Sequence, residues 1–184
     1  MPTVYLGLGS NLGDREANLR AALEAMPALG VSVTGVSPFY ETEPVGYLEQ
    51  ERFLNAACSG ETSLAPLALL RALKELEAAM GRLPAPRNMP RVIDIDILLY
   101  EDLLLATPEL EIPHPRMAER AFVLAPLADI AAGVVHPGLG KSVRQLRDAA
   151  PGREGVRLWL GQGVSRTRGS WDGDELEDEN RPGS

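Results

Sequence analysis

The stretch RVIDIDILLY, residues 91–100, limits what this chain can fold into more than any other. Seven of its ten residues are apolar, so it reads as a strand, yet Asp94 and Asp96 stand in its middle. Strand side chains alternate between faces. Ile93, Ile95, Ile97 and Leu99 therefore point one way, and Val92, Asp94, Asp96, Leu98 and Tyr100 the other. A buried carboxylate without a partner is costly, so the isoleucine row is the core face and the aspartates look away from it. Their Cα atoms are ~6.6 Å apart at strand spacing, close enough for two ionised carboxylates to repel. Two kinds of partner offset that repulsion: nearby arginines, or hard divalent cations, with Mg²⁺ the best match where phosphates complete the shell.

The rest of the chain supplies a sheet for this strand. TVYLGLG (3–9) reads as a buried strand. DREANLRAALEAM (14–26) reads as a helix with Leu19, Leu23 and Met26 on one stripe and Asp14 as N-cap. VSVTGVSPFYET (31–42) and FLNAACSGE (53–61) read as strands, and PLALLRALKELEAAM (66–80) as an amphipathic helix opened by Pro66 and closed by Gly81. With the aspartate strand the order is β-α-β-β-α-β, the ferredoxin-like order: an α+β sandwich with both helices on one face of an antiparallel sheet. The other face stays open unless later segments or ligands cover it. Two helical stretches, AFVLAPLADIA and SVRQLRDAA, and a strand, GVRLWL, are C-terminal additions that extend the core. The pattern predicts one domain over residues 1–160. Residues 161–184 are polar, acidic and aperiodic, and are expected to be a disordered tail.

Composition narrows the function. The net charge is −8, of which the last 24 residues contribute −3, so general nucleic-acid binding is disfavoured. A polyanionic substrate must then meet a local cluster of positive charge or a metal. One cysteine, Cys58, excludes an intramolecular disulfide and a cysteine zinc cluster. No apolar run is long enough to span a membrane, and the N-terminus lacks the basic flank of a secretion signal. These features predict a soluble, cytoplasmic protein; a monomer is the expectation for its oligomeric state, which the sequence leaves open.

Alternation in FLNAAC puts Leu54, Ala56 and Cys58 on one face and Phe53, Asn55 and Ala57 on the other. Burying Asn55 in the core would waste its amide, so Phe53 and Asn55 are placed on the open face beside the aspartates. An aromatic ring and an amide together suit a planar heterocycle. Arg82, Arg87 and Arg91 precede the aspartate strand and can form a polyphosphate clamp or simply a solvated loop. His114, between prolines, reads locally as a turn residue, and Phe39 and Phe122 as core. GLGSNLGDR lacks the lysine of a nucleotide-binding P-loop and reads as a strand-to-helix turn rather than a phosphate cradle.

The chain resembles the 6-hydroxymethyl-7,8-dihydropterin pyrophosphokinases of folate biosynthesis. The matching pieces are YLGLGSNLGDR, SPFYETEPVG, FLNAA, PRVIDIDILLY and IPHPRMAERAFVLAPLADI, in the family's order between residues 4 and 131. The resemblance implies a ferredoxin-like enzyme that moves pyrophosphate from ATP to the pterin hydroxymethyl oxygen and releases AMP. It implies that Asp94 and Asp96 hold two Mg²⁺ ions. Phe53 and Phe122 become the pterin walls, Asn55 a pterin hydrogen-bonding residue, and Thr42, Pro44 and Val45 the lining of that pocket. Glu77, Arg82, Arg91, His114 and Arg120 fall on the ATP side, with Arg82 and Arg91 catalytic. Departures gather before the aspartate strand, where Leu83-Pro84 stands in place of a common second arginine and Asn88 in place of a common tryptophan. Two other readings remain open: a nucleotidyl transferase or cyclase on the same fold, and a non-catalytic ligand-binding regulator. The first leaves Phe53 and Asn55 unexplained, and the second has no need of the aspartate pair.

Overall fold

A computed structural model describes residues 1–42, 51–81, 91–161 and 165–167. Strand β1 (Thr3–Ser10) leads through a turn into helix α1 (Arg15–Leu29), whose N-cap Asp14 accepts the Ala17 N–H. The helix ends at Gly30, whose left-handed φ of 96° lets its N–H reach the last carbonyls. Strands β2 (Val31–Val36), β3 (Tyr40–Thr42) and β4 (Phe53–Thr62) follow, then helix α2 (Pro66–Ala79) and strand β5 (Asp94–Tyr100). All pairings among these strands are antiparallel, in the order β5-β1-β4, with β2 and β3 both on the far side of β4. That is the ferredoxin-like arrangement. Among the described residues no helix is long and apolar enough to cross a membrane.

The expected single strand over 31–42 is two strands. Pro38 has no N–H to give the ladder, and Ser37 fills the gap. Its N–H donates to the Ala57 carbonyl at 2.9 Å and its hydroxyl accepts the Ala57 N–H at 2.8 Å. The chain then resumes as β3 along the same edge of β4.

One core lies between the sheet and helices α1 and α2. It holds Val4, Leu6, Leu8, Leu54, Ala56, Cys58, Ile93, Ile95 and Ile97 from the sheet, against Leu19, Met26, Leu69 and Leu73 from the helices. Cys58 is fully buried there, and burial pushes its thiol pKa up to about 12. The alternation expected for 91–100 holds only to Ile97. The strand begins at Asp94, and its register against β1 slips between Tyr5 and Leu6. Beyond the slip Tyr100, not Leu99, joins the helix-side core, and its hydroxyl donates to the Leu64 carbonyl at 2.7 Å. Leu98 and Leu99 both belong to the opposite face.

The C-terminal additions cover part of that opposite face. After the short strands β6 (Leu105–Ala106) and β7 (Glu111–Ile112) come helix α3 (Ala121–Ala131), helix α4 (Val143–Ala149) and strand β8 (Val156–Trp159). Helix α3 packs across β4 and onto α4. Leu124, Leu127 and Val143 meet Tyr40, Ala57, Leu98 and Leu99 in a second core. Tyr40 is fully buried, and its hydroxyl donates to the Asp129 carboxylate of α3. Strand β8 extends the sheet beyond β3. Within the stretch expected to be a disordered tail, Ser165–Thr167 pairs with β8 as strand β9, because β8 would otherwise end the sheet with unpaired backbone groups. Apart from Gly161, the rest of that stretch lies outside the described residues.

The second core makes a testable demand. Leu124→Ala is expected to cost about 2–5 kcal/mol, seen as a lower urea midpoint with an unchanged slope. A loss below about 1 kcal/mol would mean that α3 contributes little to the stability of the sheet.

Candidate active site

Helix α3 leaves the ends of β1, β4 and β5 uncovered, and a cavity of about 600 Å³ opens over them. Its floor is two rungs of the sheet. In one, Gly9 of β1 pairs with Asp94 of β5 on one side and Asn55 of β4 on the other. In the next, Gly7 stands between Asp96 and Ala57. The carboxylates and the amide thus share one face, and the strand between them presents backbone alone. A Cβ at Gly9 would lie 2.9 Å from the Asn55 side-chain oxygen, so any larger residue would displace that amide. Gly7 and Gly9 were missed as site residues in the sequence, although glycine at alternate strand positions was the available signal.

On one flank Phe53, Asn55, Thr42 and Phe122 line the cavity. Asn55 is buried, and its Nδ2 donates to the Thr42 hydroxyl at 2.7 Å. That bond fixes which end of the amide faces which way and leaves its oxygen over Gly9. The Phe122 ring lies beneath the Arg120 guanidinium, 5.4 Å from ring centroid to guanidinium carbon.

On the other flank the two carboxylates face Arg91 and His114. An Arg91 Nη1 lies 3.5 Å from Asp94 Oδ1, and His114 Nε2 lies 3.9 Å from Asp96 Oδ2. Both carboxylates keep part of their surface open, 28% for Asp94 and 40% for Asp96. Two oxygen-donor groups on one face, partly exposed, are the chemistry a hard divalent cation accepts. Among the described residues no group of three or more His, Cys, Asp or Glu gathers. Arg116, Arg120 and Lys74 also line the cavity, which supplies the local positive charge that an acidic chain needs to hold a polyanion.

Among the described residues strand β5 is the edge of the sheet, and two of its outer backbone groups are taken by site residues. Glu77 of α2, buried, accepts the Ile95 N–H at 2.9 Å between the two aspartates. The His114 N–H donates to the Leu98 carbonyl at 3.0 Å. His114 Nδ1 accepts the Arg116 N–H at 3.2 Å, so in the neutral ring the proton sits on Nε2, toward Asp96. Burial pushes the His114 pKa down, and the Arg120 and Arg116 guanidiniums push the same way, against the opposing pull of Asp94.

The GSNLGD turn, read from sequence as only a strand-to-helix connection, also ties the site together. Buried Asn11 accepts the Arg91 N–H through Oδ1 at 2.7 Å, and its own N–H donates to the Arg91 carbonyl at 3.0 Å. Its Nδ2 reaches the Glu51 carbonyl at 3.2 Å. Nothing in the residue type of Asn11 separated it from an ordinary turn residue. Pro44, Val45 and Arg82 lie outside the described residues, as do Arg87 and Asn88.

Comparison with known proteins matches residues 5–132 to the family described as 7,8-dihydro-6-hydroxymethylpterin-pyrophosphokinase. The 2-amino-4-hydroxy-6-hydroxymethyldihydropteridine pyrophosphokinase of Bacillus subtilis is 45% identical over 156 residues, covering 84% of this chain and 89% of that protein. The folic acid synthesis protein fol1 of Schizosaccharomyces pombe is 42% identical over 156 residues, and there the match spans only 21% of the longer protein. Among solved structures, the wild-type HPPK-DHPS of Plasmodium falciparum superposes with a TM-score of 0.65 at 16% identity, over 80% of this chain and 44% of that one, a likeness of fold. The chain belongs to the 7,8-dihydro-6-hydroxymethylpterin-pyrophosphokinase family.

Proposed function

We propose that this chain transfers the pyrophosphoryl group of ATP to the hydroxymethyl oxygen of 6-hydroxymethyl-7,8-dihydropterin, giving the pterin diphosphate and AMP for folate biosynthesis. One observation carries the reading. The carboxylate pair and the Phe53, Asn55, Thr42 and Phe122 set share one cavity, with only glycine backbone between them. A planar heterocycle on the aromatic flank would then hold its substituent toward the carboxylates. The hydroxymethyl oxygen attacks the β-phosphorus and gives up its proton to solvent, the bond from that phosphorus to the bridging α–β oxygen breaks, and AMP departs with the electron pair. Such a transfer depends on positioning and charge neutralisation more than on covalent help.

The roles follow from position. Phe53 and Phe122 wall the ring, while Asn55, held by Thr42, reads its polar edge. Asp94 and Asp96 would hold two Mg²⁺ ions, phosphate and water oxygens completing the shells. The metal would neutralise phosphate charge and lower the pKa of the attacking hydroxyl. Arg91 stands beside Asp94 and, with Arg82, would meet charge on the transferred group. His114 and Arg120 lie where the polyphosphate would run. Glu77, assigned to the ATP side by the resemblance, supports that side by holding the Ile95 N–H. Pro44 and Val45, outside the described residues, would complete the pterin lining as the resemblance implies. The same reading takes the protein as a monomer acting in the cytoplasm; light scattering on the purified protein checks the monomer.

Incubation with ATP, Mg²⁺ and the hydroxymethyl pterin is expected to release AMP only when the pterin is present. Pyrophosphate release instead would point to nucleotidyl transfer. Asp94→Asn and Asp96→Asn are each expected to reduce turnover by at least about a thousandfold while the melting temperature holds or rises, since a like-charge repulsion is relieved. Turnover near the wild-type level in either variant would remove the metal assignment.

Phe53→Ala or Phe122→Ala should weaken pterin binding by about 0.5–1.5 kcal/mol beyond the loss of buried area, with nucleotide affinity little changed. Equal losses for both ligands would indicate a packing role instead. Gly9→Ala, through its contact with Asn55, should weaken pterin binding much as Asn55→Ala does, and full affinity in Gly9→Ala would show that the amide moves without cost.

A further inference from the structure

Arg15 is the first residue of α1, far along the chain from the residues it touches, and its side chain is only 16% exposed. Its guanidinium makes three contacts from the helix side of the sheet. Nη1 donates to the Arg52 carbonyl at 2.7 Å, and Nη2 to the Glu41 carboxylate at 2.9 Å. The guanidinium carbon lies 5.0 Å from the Trp159 ring centroid on β8. Glu41 is also 3.7 Å from Arg52 Nη1, so one carboxylate faces two guanidiniums.

The two chain positions gripped in this way are neighbours of the rung on which the heterocycle site is built. Glu41 precedes Thr42, and Arg52 precedes Phe53. Thr42 and Phe53 are Cα partners, the last pair of the β3–β4 ladder before the chain leaves at Thr42 and returns at Phe53. The adjacent pair is Glu41 and Leu54, and the next pair on the cavity face is Tyr40 and Asn55. Side chains alternate across a strand, so Glu41 faces the helices while Thr42 faces the cavity. Thr42 is also paired with Val156 of β8, whereas Phe53 opens β4, and the terminal rung of a ladder is where it frays. A charge-assisted fork on both of its ends, from the side away from the ligand, opposes that fraying without occupying the cavity.

We propose that Arg15 is a positioning residue: it pre-orders the Thr42–Phe53 rung, and with it the Asn55 amide, for the heterocycle. Arg15 touches neither substrate. Its contribution is made before binding, by removing conformations of the rung that would otherwise have to be given up on association. The planar fork serves a carbonyl and a carboxylate at once, a geometry that a lysine ammonium reproduces only in part. The inference rests on the reading of Thr42, Phe53 and Asn55 as the pterin flank.

The test measures binding of 6-hydroxymethylpterin, and separately of a non-hydrolysable ATP analogue with Mg²⁺, to Arg15→Met, Arg15→Lys and Glu41→Gln. Arg15→Met keeps the aliphatic stem and removes the fork. It is expected to raise the pterin Kd about tenfold, with nucleotide Kd within about twofold. Arg15→Lys should recover part of the loss. Glu41→Gln is the milder variant should Arg15→Met fold poorly, and it should raise the pterin Kd in the same selective way. The double variant Arg15→Met/Glu41→Gln should be little worse than Arg15→Met, since both act through one contact.

An unchanged pterin Kd, or equal weakening of both ligands, overturns the proposal. Phe53→Ala measured in parallel separates the two levels. A pterin loss in Phe53→Ala with none in Arg15→Met overturns the Arg15 role and leaves the site reading standing. No loss in either overturns both.

Discussion

The cost of burying carboxylate charge organises this molecule. Asp94 and Asp96 sit in an edge strand whose flanking residues Ile95 and Ile97 are committed to the helix-side core. They cannot turn inward, so the opposite face must remain hollow above them. Yet the same face a few residues on is dry, packed beneath α3. The register slip between β5 and β1 reconciles the two. It puts Leu98 and Leu99 together under α3 and sends Tyr100 back to the helix side. One strand thereby changes, within about two residues of rise, from the floor of a polar cavity to the wall of an apolar core.

The edge position of β5 has to be managed as well. An edge strand exposes backbone donors and acceptors, and here Glu77 takes the Ile95 N–H and His114 the Leu98 carbonyl. Both side chains stand at the cavity. The residues that seal the edge are thus also the ones that frame the carboxylates. On the inner side Asn11 fixes the backbone of Arg91, three residues ahead of Asp94, through two hydrogen bonds. The position of the carboxylate pair along the sheet is set from both sides of the strand.

Much of this was legible in the sequence because it follows from a period of two. The isoleucine row against Asp94 and Asp96, and Leu54, Ala56 and Cys58 against Phe53 and Asn55, needed only alternation and the cost of buried polar groups. Three helix limits followed from Asp14, Pro66 and Gly81, but α1 runs past the expected end at Met26, through Pro27, to Leu29. What was not legible depends on partners distant in sequence. The slip that reverses Leu99 and Tyr100 arises from pairing with Tyr5 and Leu6, which a single strand does not reveal. The break at Pro38 was visible as a proline, but its repair by the Ser37 hydroxyl on Ala57 was not. Asn11, Gly9 and Arg15 looked like pieces of one turn because their contacts lie far along the chain.

Cys58 sits at the centre of β4, opposite Leu6 on one side and Val36 on the other, fully buried. With its pKa pushed up to about 12, the thiolate form at pH 8 is about one part in ten thousand. The sole sulfhydryl of the protein is therefore chemically silent while the sheet is intact. Alkylation of the native chain reports opening of the central strand rather than surface accessibility, and any cysteine introduced at the surface becomes the single addressable point for a label. The packing that makes β4 the middle of the sheet also gives the protein a built-in clock for its own opening.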